Sequence, residues 1–105
     1  IFQNKDYSEV GRRKNIERAQ DIARFMSEKG FNIIVSLVSP YKDQRDQFKQ
    51  TNEVIEVYIH TTDERGREGF HVSNYEKPTD NFVEIDTTNR KEVDSVIELT
   101  IKLNI

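Results

Sequence analysis

Between Ser8 and Lys29 the apolar positions recur every three or four residues. Ile16, Ala19, Ile22, Ala23 and Met26 fall on one face, while Arg13, Lys14, Glu17, Asp21, Arg24 and Glu28 fall on the other. That spacing predicts an amphipathic helix, with Ser8 as its N-cap and Gly30 as its stop. Phe31 to Val38 is then a nearly continuous apolar and β-branched run, the pattern of a central parallel strand covered on both faces. Ser39-Pro40 breaks it, and helical spacing returns over residues 41–49 with Tyr41, Arg45 and Phe48 on one side. Glu53 to His60 reads as a second strand and Phe82 to Asp86 as a third. Residues 61–80 between them are polar and aperiodic, and hold Gly66, Gly69 and Pro78. A long aperiodic loop in a small domain is usually functional, and this one reads as a lid. Asn89 to Glu92 has the form of a capping box opening a last helix, with Val93, Val96, Ile97, Thr100 and Leu103 as its buried stripe.

The alternation of helices and strands predicts an α/β fold whose parallel sheet is built from right-handed crossovers. The chain has 105 residues, enough for one domain at most. Apolar residues make up 34% and charged residues 33%, less apolar material than a self-sufficient α/β domain carries. Ile1 is not an initiator methionine, and the expectation is that part of the core is supplied by sequence upstream.

Net charge is -3, with basic and acidic residues interspersed, which argues against a nucleic-acid groove. Cysteine is absent, which excludes disulfides and thiolate metal sites. His60 and His71 lack metal-ligand spacing, so no metal site is expected from them. No apolar run reaches the roughly 20 residues of a membrane span, and a cytoplasmic protein is the expectation.

In open parallel sheets ligands bind beyond the carboxyl ends of the strands. That rule nominates Ser39 to Tyr41, His60 to Thr62 and Asp86 to Thr88. In the first helix Arg12 and Asn15 prolong the apolar stripe rather than joining the charged face. They are either an arginine stem lying over the core with a locally bonded asparagine, or a pair facing a ligand. Arg65 and Arg67 flank Gly66 in the lid, where guanidinium groups on a closing loop could neutralise a phosphoryl group, although charged loop residues are more often only solvated. Phe70 is an anchor for that loop or a ring for stacking on a purine. None of the four glycines lies in G-x-x-x-x-G-K-S/T, and no hydrolytic triad spacing is recognisable.

Taken together these stretches resemble the adenylylsulfate (APS) kinase family. Tyr7-Ser8, Arg12, Asn15-Ile16 and Arg18 are similar to its F-S-x-x-x-R-x-x-N-I-x-R segment. Val35 to Lys42 with Arg45-Asp46 is similar to its I-S-P-Y-R-x-x-R-D signature, which is the specific match. Glu53 to Ile59 is similar to the F-I-E-V-Y-V strand, and Phe70, Tyr75-Glu76 and Pro78 to the F-T-G-I-x-x-P-Y-E-x-P segment. The chain departs from the family in the stretch before Phe70, which is shorter and lacks K-G-L-Y-x-K-A-R. It also contains neither the phosphate-binding loop nor the D-G-D segment.

The resemblance implies a P-loop NTPase-like three-layer α/β fold, incomplete at the N-terminus, of which residues 1–105 are the C-terminal, substrate-binding portion. It implies transfer of the ATP γ-phosphoryl group to the 3′-hydroxyl of adenylylsulfate, with magnesium, by the intact protein, this chain alone being inactive. Carried over residue by residue, Tyr7 and Phe70 sandwich the adenine of adenylylsulfate, and Arg12 and Asn15 hold the phosphosulfate and neighbouring polar groups. Val38 and Ser39 present strand-end backbone to the adenine, and Arg65 and Arg67 stand in for the lid cations. Ser39 also matches the serine that the family's descriptions name as a phosphoserine intermediate, although direct in-line transfer needs no covalent step. Two other readings stay open: a kinase fold acting on another nucleotide or small hydroxyl substrate, and a non-catalytic module that binds an adenine ligand. A homodimer is compatible with the exposed face of the first helix, though no apolar patch argues for it.

Overall fold

The computed structural model describes residues 8–63 and 74–105. The chain divides into two compact units, Ile1–Glu53 and Val54–Ile105.

In the first unit, α1 (Glu9–Glu28) begins where the sequence places it. The Ser8 hydroxyl accepts from the Gly11 N–H at 3.1 Å, which satisfies one of the amide donors that a helix start leaves without a partner. The helix ends at Gly30, whose φ of 94° lies in the left-handed region that glycine enters without penalty. The Gly30 N–H donates to the Ser27 carbonyl and the Phe31 N–H to the Met26 carbonyl, the paired bonds of a Schellman ending. Gly11, Ile16 and Ala23 are buried, while Ala19 and Met26 are half-buried. Ile22 lies outside this stripe and is exposed.

The second helix, α2 (Lys42–Thr51), carries the expected inward side, with Arg45 buried and Tyr41 and Phe48 half-buried. Arg13, placed by its spacing on the solvated face of α1, instead ties the two helices together. Its guanidinium forks onto Asp43 through Nη1 at 3.0 Å and Nη2 at 3.2 Å. Its Nε donates to Glu9, and the group lies 4.1 Å from the centroid of the Tyr41 ring. The Gln44 side chain donates to the Arg13 carbonyl at 2.9 Å. A planar donor that pairs with a carboxylate and covers a ring does what a lysine could not.

Phe31 to Val38, the expected central strand, forms no strand among the described residues. Its side chains are exposed, Ile34 at 94%. The pattern marks a segment suited to burial on both faces, but a strand also needs a neighbour for its backbone ladder, and no described segment pairs with this one.

The second unit holds β1 (Glu56–His60), β2 (Phe82–Asp86) and α3 (Glu92–Leu103). The strands pair in parallel, with Glu56 opposite Phe82 and His60 opposite Asp86. Val57, Ile59, Val83 and Ile85 therefore share one face, and Ile85 is only 2% exposed. On the other face Tyr58 stacks with His60 at 4.9 Å and with Tyr75 at 5.9 Å, and meets Phe82 edge-on. Pro78 is buried.

The last helix corrects two expectations. Asn89 does not cap it, because its φ of 53° places it in a turn whose N–H donates to Asp63. The helix starts after Lys91 with no side-chain cap, and Glu92 and Asp94 supply acidic groups in its first turn. Nor is the expected stripe buried. Of its members Val93, Val96 and Ile97 are each more than half exposed, while Thr100 and Leu103 are half-buried, as are Ser95 and Leu99 outside it. The helix is apolar on more than one side, and among the described elements β2 packs against it.

Replacing the α1 cap, Ser8→Ala, is expected to cost about 1 kcal/mol of helix stability, read as a lower midpoint in denaturant-induced loss of helical circular dichroism. The hydrogen bonds from Arg13 hold the Asp43 carboxyl below the usual aspartate range. A depressed carboxylate stabilises the folded state above its unfolded pKa, and this contribution fades as pH falls through the folded value. The acid limb of stability below about pH 4 should therefore be shallower in Asp43→Asn than in the parent chain, measured by thermal melts across pH 2–6. Coincident limbs would show that the pair adds nothing.

Candidate functional site

Of the three strand-end segments nominated by the sequence, the structure brings two together in the second unit. The Thr87 N–H extends the ladder to the His60 carbonyl at 2.9 Å, and the Thr62 N–H donates to Thr88 Oγ1 at 3.0 Å. The Thr88 N–H in turn donates to Asp86 Oδ1 at 2.9 Å. The Thr88 hydroxyl, and then this backbone bond, hold the Asp86 carboxyl below its ordinary range. His60 Nε2 lies 2.7 Å from Glu84 Oε2.

Beside these segments an open cavity of ≈ 390 Å³ is lined by Glu84, Asp86, Thr88, Arg90, Glu98 and Lys102. Its cations are already committed. Arg90 donates to the carbonyls of Asp86 and Asp94 and pairs with Glu98, and Lys102 donates to the Glu84 carbonyl and pairs with the same Glu98. Lys102 and Arg90 together depress the Glu98 carboxyl. An anion entering here would have to displace these carboxylate contacts, so the cavity is a poor phosphate site.

The third segment, Ser39 to Tyr41, belongs to the first unit, and its surroundings differ. The Arg45 guanidinium, 9% exposed, donates through Nη1 to the Ser39 carbonyl at 2.6 Å. Pro40 is fully buried, and the Arg45 N–H donates to the Tyr41 carbonyl at 3.1 Å. Ser39 Oγ is buried and has no hydrogen-bond partner among the described residues. Val38 beside it is exposed. Through Arg13, Tyr41 and Asp43 this turn is held to the first turns of α1, the part of the helix that carries Arg12 and Asn15.

Both of those side chains are half-buried, beside the buried Gly11 and Ile16. The Asn15 side-chain oxygen Oδ1 accepts from Arg18 Nη1 at 3.3 Å. No described residue bonds the Arg12 guanidinium, in contrast to Arg13, Arg45 and Arg90. Unpaired and half-covered, Arg12 can take an anion without first giving up an internal carboxylate. Tyr7, Arg65, Arg67 and Phe70 lie outside the described residues, as does His71. Within the expected lid, so do residues 64–73.

The role of Arg45 was not read from the pattern, which showed only that it shares a side of α2 with Tyr41 and Phe48. The available signal is its place in the first turn of the helix that follows Ser39-Pro40-Tyr41, within reach of the Ser39 carbonyl. Among the described residues no three His, Asp or Glu side chains converge as metal ligands, and no helix is long and apolar enough to cross a membrane.

The family model for adenylylsulphate kinase matches residues 1–94. An adenylyl-sulfate kinase of Burkholderia ambifaria is 34% identical over 62 residues, which are 56% of this chain and 34% of that one. One from Penicillium chrysogenum is 38% identical over 53 residues, covering 49% of this chain and 25% of its own. One from Oceanobacillus iheyensis is 26% identical over 117 residues, covering 91% and 59% respectively. The chain therefore spans about a third of the length of the Burkholderia relative and 27% of one from Vibrio cholerae. No solved structure matches the chain at significance. The helices, the parallel strand pair and the match over residues 1–94 lead to one conclusion: the chain belongs to the adenylylsulphate kinase family and has the P-loop NTPase type of α/β fold.

Proposed function

We propose that the whole protein transfers the γ-phosphoryl group of ATP to the 3′-hydroxyl of adenylylsulfate, and that this chain is the C-terminal portion that binds the acceptor. The observation that carries this reading is the half-buried Arg12, whose guanidinium no described residue bonds, on the helix that Arg13 fastens to the Ser39 to Tyr41 turn. An acceptor with a charged phosphosulfate group and an adenine needs a cation and an edge of backbone, and the first unit carries both. The named relatives, all adenylyl-sulfate kinases, support the same acceptor.

In this reading Arg12 neutralises the phosphosulfate, and Asn15 bonds a neighbouring polar group. Val38 and Ser39 meet the adenine edge with backbone groups, and the otherwise unsatisfied Ser39 hydroxyl gains a partner when the ligand is in place. Tyr7 and Phe70 supply rings above and below the adenine, a favourable use of aromatic faces. Arg65 and Arg67 approach the transferring group from the lid. In-line transfer between two bound substrates is largely a matter of positioning and charge stabilisation, and does not need Ser39 as a covalent carrier.

The donor side is different. The four glycines, Gly11, Gly30, Gly66 and Gly69, form no phosphate-binding loop, and no carboxylate cluster for magnesium converges among the described residues. These residues do not fit ATP with its metal. The work of this chain is to bind and orient the acceptor.

Arg12→Ala and Phe70→Ala are each expected to weaken adenylylsulfate binding about tenfold or more, by loss of a charge-assisted contact and of a stacking face respectively. Calorimetric titration of the chain measures both, and unchanged affinity in the two variants rejects the assignments. The full product of the reading frame that contains this chain should form 3′-phosphoadenylylsulfate from ATP, magnesium and adenylylsulfate. Absence of product where an established kinase of the family turns over, or preference for a different nucleotide, overturns the proposal.

A further inference from the structure

We infer that Arg45 is a positioning residue for the acceptor pocket, acting through the Ser39 carbonyl. This rests on the proposed function, in which Val38 and Ser39 present backbone to the adenine.

Arg45 is the buried charged side chain of the described residues, at 9% exposure. Burying a guanidinium is unfavourable unless its donors are used, and here Nη1 makes a 2.6 Å charge-assisted bond to the Ser39 carbonyl. The same residue donates its backbone N–H to the Tyr41 carbonyl at 3.1 Å. One side chain and one amide of a single residue therefore hold both ends of the tripeptide Ser39-Pro40-Tyr41. Between them Pro40 is fully buried, has a fixed φ and restricts Ser39 before it. Few backbone torsions are left free.

The held carbonyl belongs to the residue whose hydroxyl is buried without a partner, and whose preceding neighbour, Val38, is 61% exposed. The anchor thus acts on a stretch that combines an accessible side, an unsatisfied hydroxyl and a fixed peptide plane. Fixing that plane before the ligand arrives removes an ordering cost from binding. Lysine would offer a compact ammonium on a flexible stem in place of a planar fork, and would hold the plane less well.

The test uses Arg45→Met and Arg45→Lys. In the unliganded chain the Ser39 carbonyl carbon should shift in the nuclear magnetic resonance spectrum of Arg45→Met, because its charged donor is gone. Titration with adenylylsulfate should show about tenfold weaker binding for Arg45→Met and an intermediate loss for Arg45→Lys. In the full product of the reading frame, KM for adenylylsulfate should rise while kcat and KM for ATP stay within about twofold, since uniform ground-state binding is what is lost.

A parallel fall in kcat and in folded fraction, seen in the thermal melt of both variants, would mean that Arg45 only supports the fold, and would overturn the inference. So would an unmoved Ser39 signal. A wild-type chain that binds adenylylsulfate as tightly as Arg45→Met does overturns the Arg45 assignment alone. A wild-type chain that binds none overturns the functional reading, and this inference with it.

Discussion

Guanidinium groups act as structural fasteners within each of the two units, whose described residues bury few apolar side chains. Arg13 joins α1 to α2, Arg45 joins α2 to the turn before it, and Arg90 joins the end of β2 to α3. Pro40 and Pro78 apart, the apolar side chains buried among the described residues are Ile16, Ala23 and Ile85. With so small a core, the non-directional part of the stabilisation is weak, and the directional part decides which segments meet. Each arginine reaches a backbone carbonyl or a carboxylate on a neighbouring segment, and each carries enough donors to bind two or three acceptors at once.

The candidate site follows from an arginine whose guanidinium no described residue bonds. Arg12 follows Gly11 and precedes Arg13 on α1, yet only Arg13 finds carboxylates, in Glu9 and Asp43. A helix turns by about 100° per residue, so adjacent positions face different surroundings. That difference leaves one cation neutralised by the fold and the next available to a ligand. The second unit makes the contrast plain. Its cavity is rich in charge, but Arg90, Lys102 and Glu98 satisfy one another, so charge alone did not identify a binding site there.

Two stretches carry many of the exposed apolar groups: the run from Phe31 to Val38 in the first unit, and Val93, Val96, Ile97 and Ile101 of α3 in the second. Both have the composition of buried elements. Both lack, among the described residues, the neighbours that burial requires. The parallel pairing of β1 and β2 has the same character, because a parallel sheet is normally covered on both faces and two strands cover little by themselves.

What the sequence by itself determined is the set of features decided within a few residues of chain. Ser8 and Gly30 bound α1, because a cap and a left-handed glycine act on amides and carbonyls one turn away. The apolar and β-branched runs at Glu53 to His60 and Phe82 to Asp86 located the two strands, the first of which begins at Glu56, and the Ser39-Pro40-Tyr41 motif located the family. The tertiary structure decided whatever needs a partner distant in the chain. Phe31 to Val38 has the pattern of a strand but no ladder, and Asn89 has the spacing of a cap but sits in a turn bonded to Asp63. Arg12, Arg13 and Arg45 are alike as residue types. One is unpaired, one clasps two helices and one holds the Ser39 carbonyl, and what separates them is the acceptor that folding places within bonding distance of each guanidinium.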